Sequence, residues 1–109
     1  MEKITESNQT QMRRGVLEYS ILLILEKNDE YASSIIQKLK DVNIIVAEGT
    51  TYPLLARLKN LGMLSYRWEE SLQGPPRKYY TITEIGKKQL KELDSVWEDL
   101  AGAIKKLKD

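Results

Sequence analysis

The spacing of apolar positions changes once between Glu48 and Ile82, and the change marks where a helix gives way to a two-stranded ribbon. In EGTTYPLLARLKNLG, Leu54, Leu55, Leu58 and Leu61 fall at i, i+1, i+4 and i+7, which gathers them on one stripe of an α-helix. At about 100° per residue the opposite face presents Tyr52, Pro53, Ala56 and Asn60, with Thr50 and Arg57 on one flank and Lys59 on the other. Gly49 or Thr50 as N-cap puts Pro53 in the first turn, where backbone N–H groups have few intrahelical partners, and Gly62 is a stop signal. In MLSYRWEESLQGPPRKYYTIT the period falls to two. Leu64, Tyr66 and Trp68 alternate with Ser65, Arg67 and Glu69, and Tyr80 and Ile82 alternate with Tyr79 and Thr81. This predicts a hairpin with one wet face. Its loop is expected to run from Glu69 to Pro76, too long for a two-residue turn, with Gly74-Pro75-Pro76 stiffening it just before Arg77 and Lys78.

Upstream, MRRGVLEYSILLILEK (Met12 to Lys27) predicts a helix whose apolar residues, from Val16 and Leu17 through Tyr19 and Leu22 to Leu25, wrap nearly the whole circumference. Such a helix must be covered on more than one side. The domain's own core covers one, and a second copy of the chain is expected on the other. Residues 1–11 are polar and aperiodic, a frayed lead-in with no assigned role. Asn28-Asp29-Glu30 signals a turn, and Ile35, Ile36, Leu39 and Val42 at i, i+1, i+4 and i+7 predict a second helix from Tyr31 to about Asp41. Ile44, Ile45 and Val46 fit either a short strand beside the hairpin or an apolar connector. After the ribbon, Thr83 is a good N-cap, with Glu84 in the first turn where a negative charge suits the helix dipole. Leu90, Leu93, Trp97, Leu100, Ile104 and Leu107 then step by 3, 4, 3, 4 and 3, a heptad seam that wants another helix against it. Either the first helix or a second subunit can serve, and the same helix can do both.

Two helices joined by a short connection, a ribbon with cations at its base and a backing helix are the parts of a winged helix-turn-helix. The fold expected is mainly α with a β-hairpin wing, followed by a long C-terminal dimerisation helix. Residues 1–82 form the DNA-binding region and residues 83–109 the dimerisation helix on this reading, within one compact domain, because 109 residues have room for one modest core. A net charge of +1 does not announce a nucleic-acid partner, but residues 48–82 carry Arg57, Lys59, Arg67, Arg77 and Lys78 against Glu48, Glu69 and Glu70. The surplus thus sits on the stretch that the geometry singles out. With no His and no Cys, a zinc site, a cysteine nucleophile and an imidazole base are excluded. Glu69 and Glu70 are adjacent on a strand and point opposite ways, and no Gly-rich phosphate loop precedes a helix, so an enzyme is not expected and no metal or cofactor is implied. No apolar run approaches the ~20 residues of a membrane span, and MEKITESNQTQ lacks the hydrophobic segment of a secretory signal; together with the lack of Cys this fits a reducing cytoplasm.

The runs MRRGVLEYSILLILEK, EGTTYPLLARLKNLGMLSYRWEES and GPPRKYYTITEIGKKQL resemble the PadR family of bacterial transcriptional regulators, over residues 12–90. The Gly-Thr-x-Tyr-Pro helix start, the Trp-Glu wing strand and the Pro-Pro-Arg-Lys-Tyr-Tyr return are much more specific together than any one alone. The resemblance implies a winged-helix repressor acting as a two-fold dimer, with the last helix supplying much of the dimer contact. The short C-terminal part is similar to the small subfamily of the multidrug-binding regulator LmrR, which keeps a Trp in that helix where Trp97 stands here. Tyr31-Ala32-Ser33 departs from the Tyr-Gly-Tyr that the family often has at the second helix, and Asp94 replaces an aromatic of the multidrug regulator.

Candidate DNA contacts are Thr50, Thr51, Tyr52, Pro53, Ala56, Arg57 and Lys59 of the third helix with Arg77 and Lys78 of the wing. Thr50 and the N–H groups of the first turn would hold a phosphate, Tyr52 and the small Ala56 would approach base edges, and Arg57 and Lys59 would reach phosphates on either side. Arg77 and Lys78 would grip the backbone beside the wing. Two-fold symmetry predicts an inverted-repeat site in double-stranded DNA, with half-sites about 10 bp apart or a multiple of that. The homodimer contact is expected to draw on Val16, Leu17, Leu90, Leu93, Trp97, Leu100 and Ile104. Trp97 with Tyr19, Leu22, Leu90 and Leu93 would make an apolar slot for a planar aromatic effector, with Asp94 or Glu98 favouring a cation; without a ligand the same residues are interface core. The alternative is a winged-helix protein-interaction module without DNA binding, which calls for a hydrophobic outer face on the third helix. That face is not hydrophobic here.

Overall fold

In the computed structural model the described residues are 2–44 and 48–109, with side chains described from 15 to 44 and from 49 to 109. The order of elements is α1 (Glu2–Lys27), β1 (Glu30–Tyr31), α2 (Ala32–Asp41), α3 (Glu48–Asn60), β2 (Leu64–Ser71), β3 (Gly74–Ile82) and α4 (Glu84–Lys108). Residues 45–47, for which the sequence allows a strand or a connector, lie outside the described residues.

α1 begins at Glu2 rather than at Met12. The polar stretch from Glu2 to Gln11 contains Glu, Lys and Gln, good helix formers, and extending an existing helix is far easier than nucleating one. Leu17, Ile21, Leu22 and Leu25 of α1 are buried, and Tyr19, Leu23 and Ile24 pack against the same core half-buried. α2 buries Ile35, Ile36 and Leu39, but Val42, the fourth residue of the expected stripe, is the C-cap and is exposed.

The helices of the helix-turn-helix stop by the same device. After α2, Asn43 takes the left-handed conformation (φ 64°), its N–H donates to the Lys40 carbonyl at 2.9 Å, and the Ile44 N–H donates to Leu39 at 2.8 Å. After α3, Gly62 has φ 80°, its N–H donates to Lys59 and the Met63 N–H donates to Leu58, both at 3.0 Å. Asn and Gly are the residues that enter this conformation at least cost, and the paired bonds satisfy carbonyls that the helix leaves open. Leu61 therefore lies past the end of α3 and is 48% exposed, so it does not complete the leucine stripe.

The sheet has three strands in the order β1-β3-β2, all antiparallel. β1 is a departure from the expected helix start at Tyr31: Glu30 pairs with Tyr80 and Tyr31 with Tyr79, and the Tyr31 and Tyr79 rings lie 4.7 Å apart. The hairpin loop is also tighter than expected. β2 and β3 remain paired out to Ser71 and Gly74, with an irregularity between Glu69 and Ser71, leaving Leu72-Gln73 as the turn. Pro75 and Pro76 sit inside β3, which a strand tolerates where its other edge has no partner, and β1 covers only Tyr79 and Tyr80.

The core joins Ile21, Leu22 and Leu25 of α1 and Ile35 and Leu39 of α2 to Leu55 and Leu58 of α3, Leu64, Tyr80 and Ile82 of the sheet and Leu90 of α4. α4 is fastened at its start. The Thr83 hydroxyl accepts from the Gly86 N–H at 3.1 Å and donates to the Gly62 carbonyl at 2.5 Å. Gly86 is required there, because a Cβ would stand 2.2 Å from the Met63 carbonyl oxygen. Beyond Leu93 the helix leaves the core, and Val96, Trp97, Leu100, Ile104 and Leu107 are exposed. Among the described residues no helix is long and apolar enough to cross a membrane.

Candidate nucleic-acid interface

α3 is seated by Leu55 and Leu58, and Thr51, 2% exposed, lies one turn earlier on the same stripe. Thr51 is thus buried beneath the helix, which corrects its assignment as a DNA contact. Tyr52 is 50% exposed, and Thr50, Pro53, Ala56, Lys59 and Asn60 are also exposed. Because α3 begins at Glu48, Pro53 falls in the second turn rather than the first, and the Gly49 carbonyl has no N–H donor four residues on.

Opposite this face stands the wing. Tyr52, Ala56, Lys59 and Asn60 of α3 and Tyr66, Lys78 and Tyr80 of the sheet line one groove of about 270 Å³. An adjoining hollow of about 390 Å³ opens where Tyr31, Ala32 and Ser33 meet Tyr52, Trp68, Arg77 and Lys78. One surface therefore runs from the start of α2 across α3 onto the inner face of the wing. A larger recess, about 510 Å³, lies between α1 and the end of α2, lined by Leu23, Ile24, Val42 and Ile44, and shares no residue with this surface.

Side-chain parity along the strands decides where the wing cations go. Trp68 pairs with Lys78 and Tyr66 with Tyr80, so these four share the face turned to α3. The Lys78 ammonium lies 4.6 Å from the Tyr66 ring and 5.7 Å from Trp68, near enough for both rings to hold it. Burial, with the Tyr66 and Tyr52 hydroxyls adding, pushes the Tyr80 phenol up, so it stays a neutral hydroxyl at the floor of the groove. Arg77 has the opposite parity. Its guanidinium stacks 4.0 Å from the Tyr31 ring, Tyr31 stacks on Tyr79, and Arg67 covers Tyr79 at 4.5 Å. Arg67 is anchored by Glu69 at 2.6 Å and Asp29 at 3.2 Å, and these bonds, Glu69 first, push its pKa above the ordinary arginine value. Arg77 and Lys78 thus leave the strand on opposite sides and rest on different rings, yet both line the hollow at the start of α2.

Arg57 is also not free: it forms an ion pair with Glu18 of α1, on the flank of α3 away from the wing groove. Glu18 is far away in sequence from its partner, and nothing in its local pattern announces it. Tyr66 and Trp68 as groove walls were within reach of the alternation, since they share parity with buried Leu64.

The expected effector slot is only partly assembled. Leu22 and Leu90 are fully enclosed in the protomer core, and Leu17 is buried there too, so Leu22 and Leu90 line no open slot, and Leu17 and Leu90 are not offered to a partner. What remains is an open patch. The Tyr19 hydroxyl donates to Asp94 Oδ1 at 2.5 Å, the Tyr19 and Trp97 rings lie 6.4 Å apart, Leu93 is half-buried and Trp97 is 45% exposed. The bond to Asp94, with burial and neighbouring carboxylates adding, pushes the Tyr19 phenol up to about 12. Val16 is half-buried, and Leu100 and Ile104 are exposed.

A short helix pair, a polar outer face on its second helix and a wing folded over that face define the class of winged helix-turn-helix DNA-binding proteins. Residues 21–92 match the transcriptional regulator PadR-like family, and the chain belongs to that family, whose members are DNA-binding transcriptional regulators and not enzymes. A PadR-like transcription factor from Bacteroides fragilis is 53% identical, with a TM-score of 0.78 over 93% of this chain and 98% of that one. A PadR-like regulator from Bacillus cereus is 36% identical, with a TM-score of 0.81 over 89% of this chain and 95% of that one. An uncharacterised protein of Lysinibacillus sphaericus is 30% identical over 94 residues, 84% of this chain and 86% of its own length.

Proposed function

We propose that this chain is a dimeric, sequence-specific repressor that lays the outer face of α3 in the major groove of an inverted-repeat operator while the wing follows the adjacent backbone. The observation that carries this reading is the open groove in which Tyr52, Ala56, Lys59 and Asn60 face Lys78 across the α3–wing cleft. Ala56 leaves room for a base edge, and Tyr52 and Asn60 on either side of it can contact bases. Lys59 and Lys78 flank them as phosphate cations, Thr50 and Pro53 lie at the end of α3 that meets the backbone, and Arg77, which lines the adjoining hollow with Lys78, is a further phosphate cation. Membership in a family of DNA-binding regulators favours this over a protein-only interaction module.

The dimer rests on the exposed apolar side of α4. A single chain leaves Val96, Trp97, Leu100, Ile104 and Leu107 in water, and a contiguous apolar surface of this kind marks an interaction site. A second α4 against it, with Val16 and Leu93 at its margin, covers them and makes residues 83–109 the dimerisation helix beside a DNA-binding region of residues 1–82. Two copies of the Tyr19–Asp94–Trp97 patch then approach one another and form a site for a planar aromatic cation that releases DNA, as expected for a cytoplasmic regulator of the LmrR-like small subfamily.

A footprint of DNA upstream of the chain's own gene, at two salt concentrations, tests the main reading. Protection of two half-sites about 10 bp apart or a multiple of that, weakening with salt, is expected. Tyr52→Ala with Lys59→Ala should remove it; unchanged protection by that folded double variant would refute the assignment of the face. For the effector, titration of Trp97 fluorescence with cationic dyes should give quenching beyond the inner-filter effect, and its absence would remove the pocket.

A further inference from the structure

α3 carries two cations, and the structure treats them differently. Lys59 lines the open groove toward the wing, while Arg57, on the opposite flank, is ion-paired to Glu18 of α1. Both members of that pair reach solvent, with 58% of the Arg57 side chain and 30% of the Glu18 side chain exposed. A phosphate approaching α3 from the α1 side therefore meets a cation already matched by a carboxylate. Binding to DNA of arbitrary sequence is driven by the release of counterions as cations replace them, so a cation that already has its anion contributes little to it.

We propose that Glu18 is a specificity-setting positioning residue: it holds Arg57 against α1, withholds that cation from loosely docked DNA, and surrenders it only where α3 is seated deeply enough for a phosphate to displace the carboxylate. The inference rests on α3 being the helix that docks. Two features make the exchange feasible. A partly exposed ion pair is held weakly, and a guanidinium matches a phosphate with two parallel hydrogen bonds. Non-specific complexes are held off the bases and do not open the pair; operator complexes do. Glu18 thereby lowers affinity for arbitrary DNA more than affinity for the operator, which widens the ratio that governs site selection.

The test is a double-mutant cycle read as salt dependence, using fluorescence anisotropy of a labelled mixed-sequence duplex. Glu18→Gln is expected to tighten binding to that duplex by about two- to fivefold and to steepen the slope of log affinity against log salt by about 0.9, the increment for one further phosphate. Arg57→Gln should change the slope by less than half that amount while Glu18 is present, and by the whole amount in the Glu18→Gln background. A full flattening by Arg57→Gln alone, or a steepening by Glu18→Gln that persists when Arg57 is Gln, would overturn the inference, since Arg57 would then be engaged already or Glu18 would act only through net charge. Lys59→Gln separates the two levels. If it flattens the slope while the cycle shows no coupling, Glu18 loses its role and the docking face stands; if it changes nothing, the docking face falls and the inference with it. Circular-dichroism melts of each variant register any loss of folding separately from the slopes.

Discussion

At the level of single residues, Ala56 is the side chain whose smallness matters most. It is exposed on α3, it lines the groove facing the wing, and it takes no part in the core. Ala56→Glu fills that groove with a bulky anion where a base edge and its phosphates should sit. Operator affinity is expected to fall by at least about tenfold, roughly the effect of one mismatched base pair, while stability changes by no more than about 0.5 kcal/mol, as at other surface positions. Anisotropy and urea unfolding of the same preparation check both halves. Thr51 shows how a residue's type can hide its place: at i relative to Leu55 (i+4) and Leu58 (i+7) it belongs to the buried stripe, and only its hydroxyl suggested the surface. Tyr19 yields a prediction about alkaline pH. Its hydroxyl donates to Asp94, and its folded value of about 12 stands above the ordinary 10, so the native state holds the proton more tightly than the unfolded chain. The stability from this bond is fully present below pH 10 and is lost as pH rises through about 12. In Tyr19→Phe the decline of the urea midpoint across that window should be shallower than in the unaltered protein, and identical declines would mean that the bond does not form.

Among the elements, the start of α4 is fixed by one side chain with two bonds. Thr83 caps the helix through the Gly86 N–H and ties it to the end of α3 through the Gly62 carbonyl. Thr83→Ala is expected to cost about 1–2 kcal/mol in urea unfolding, with Thr83→Ser recovering most of it; no loss on removing the hydroxyl would show the cap to be idle. The same elements show what periodicity can reveal. The stripes of α2 and α3, the alternation of the wing and the heptad of α4 are legible because each repeats a pattern over several turns or strand residues, and the Gly62 stop is legible from its residue type. β1 is not legible: it has two residues, too few for any period, and it exists because Tyr31 can pair and stack with Tyr79, distant in sequence. The early start of α1 escapes because helix propensity without an apolar stripe leaves no rhythm. Gly74-Pro75-Pro76 suggests a loop, and the structure keeps it in a strand, where β1 pairs only with Tyr79 and Tyr80. In the candidate interface, Tyr52, Ala56 and Lys59 follow from the helical face alone, whereas the different ring partners of Arg77 and Lys78 depend on strand register and the capture of Arg57 depends on Glu18 of α1, distant in sequence.

For the molecule as a whole, one face is suited to DNA and another to a second copy. The α3–wing groove carries the open cations, and α4 beyond Leu93 carries exposed apolar side chains that the chain's own core does not cover. Leu100→Glu with Ile104→Glu should leave the winged-helix core intact, because neither residue belongs to it. Sedimentation is expected to show a dimer for the unaltered chain and a monomer for that variant, and operator binding should weaken because two half-sites can no longer be held by one particle. A variant that remains dimeric would move the interface elsewhere. The claim on which the rest depends is that the outer face of α3 lies against DNA, and the lack of cysteine in the chain allows it to be tested at a single position. Ala56→Cys carrying a tethered DNA-cleaving iron chelate should cut each operator strand within the half-sites, at two centres about 10 bp apart or a multiple of that, while the same reagent on Ser95→Cys of α4 cuts only at background. Background cutting from position 56 in a complex that still footprints would contradict the account.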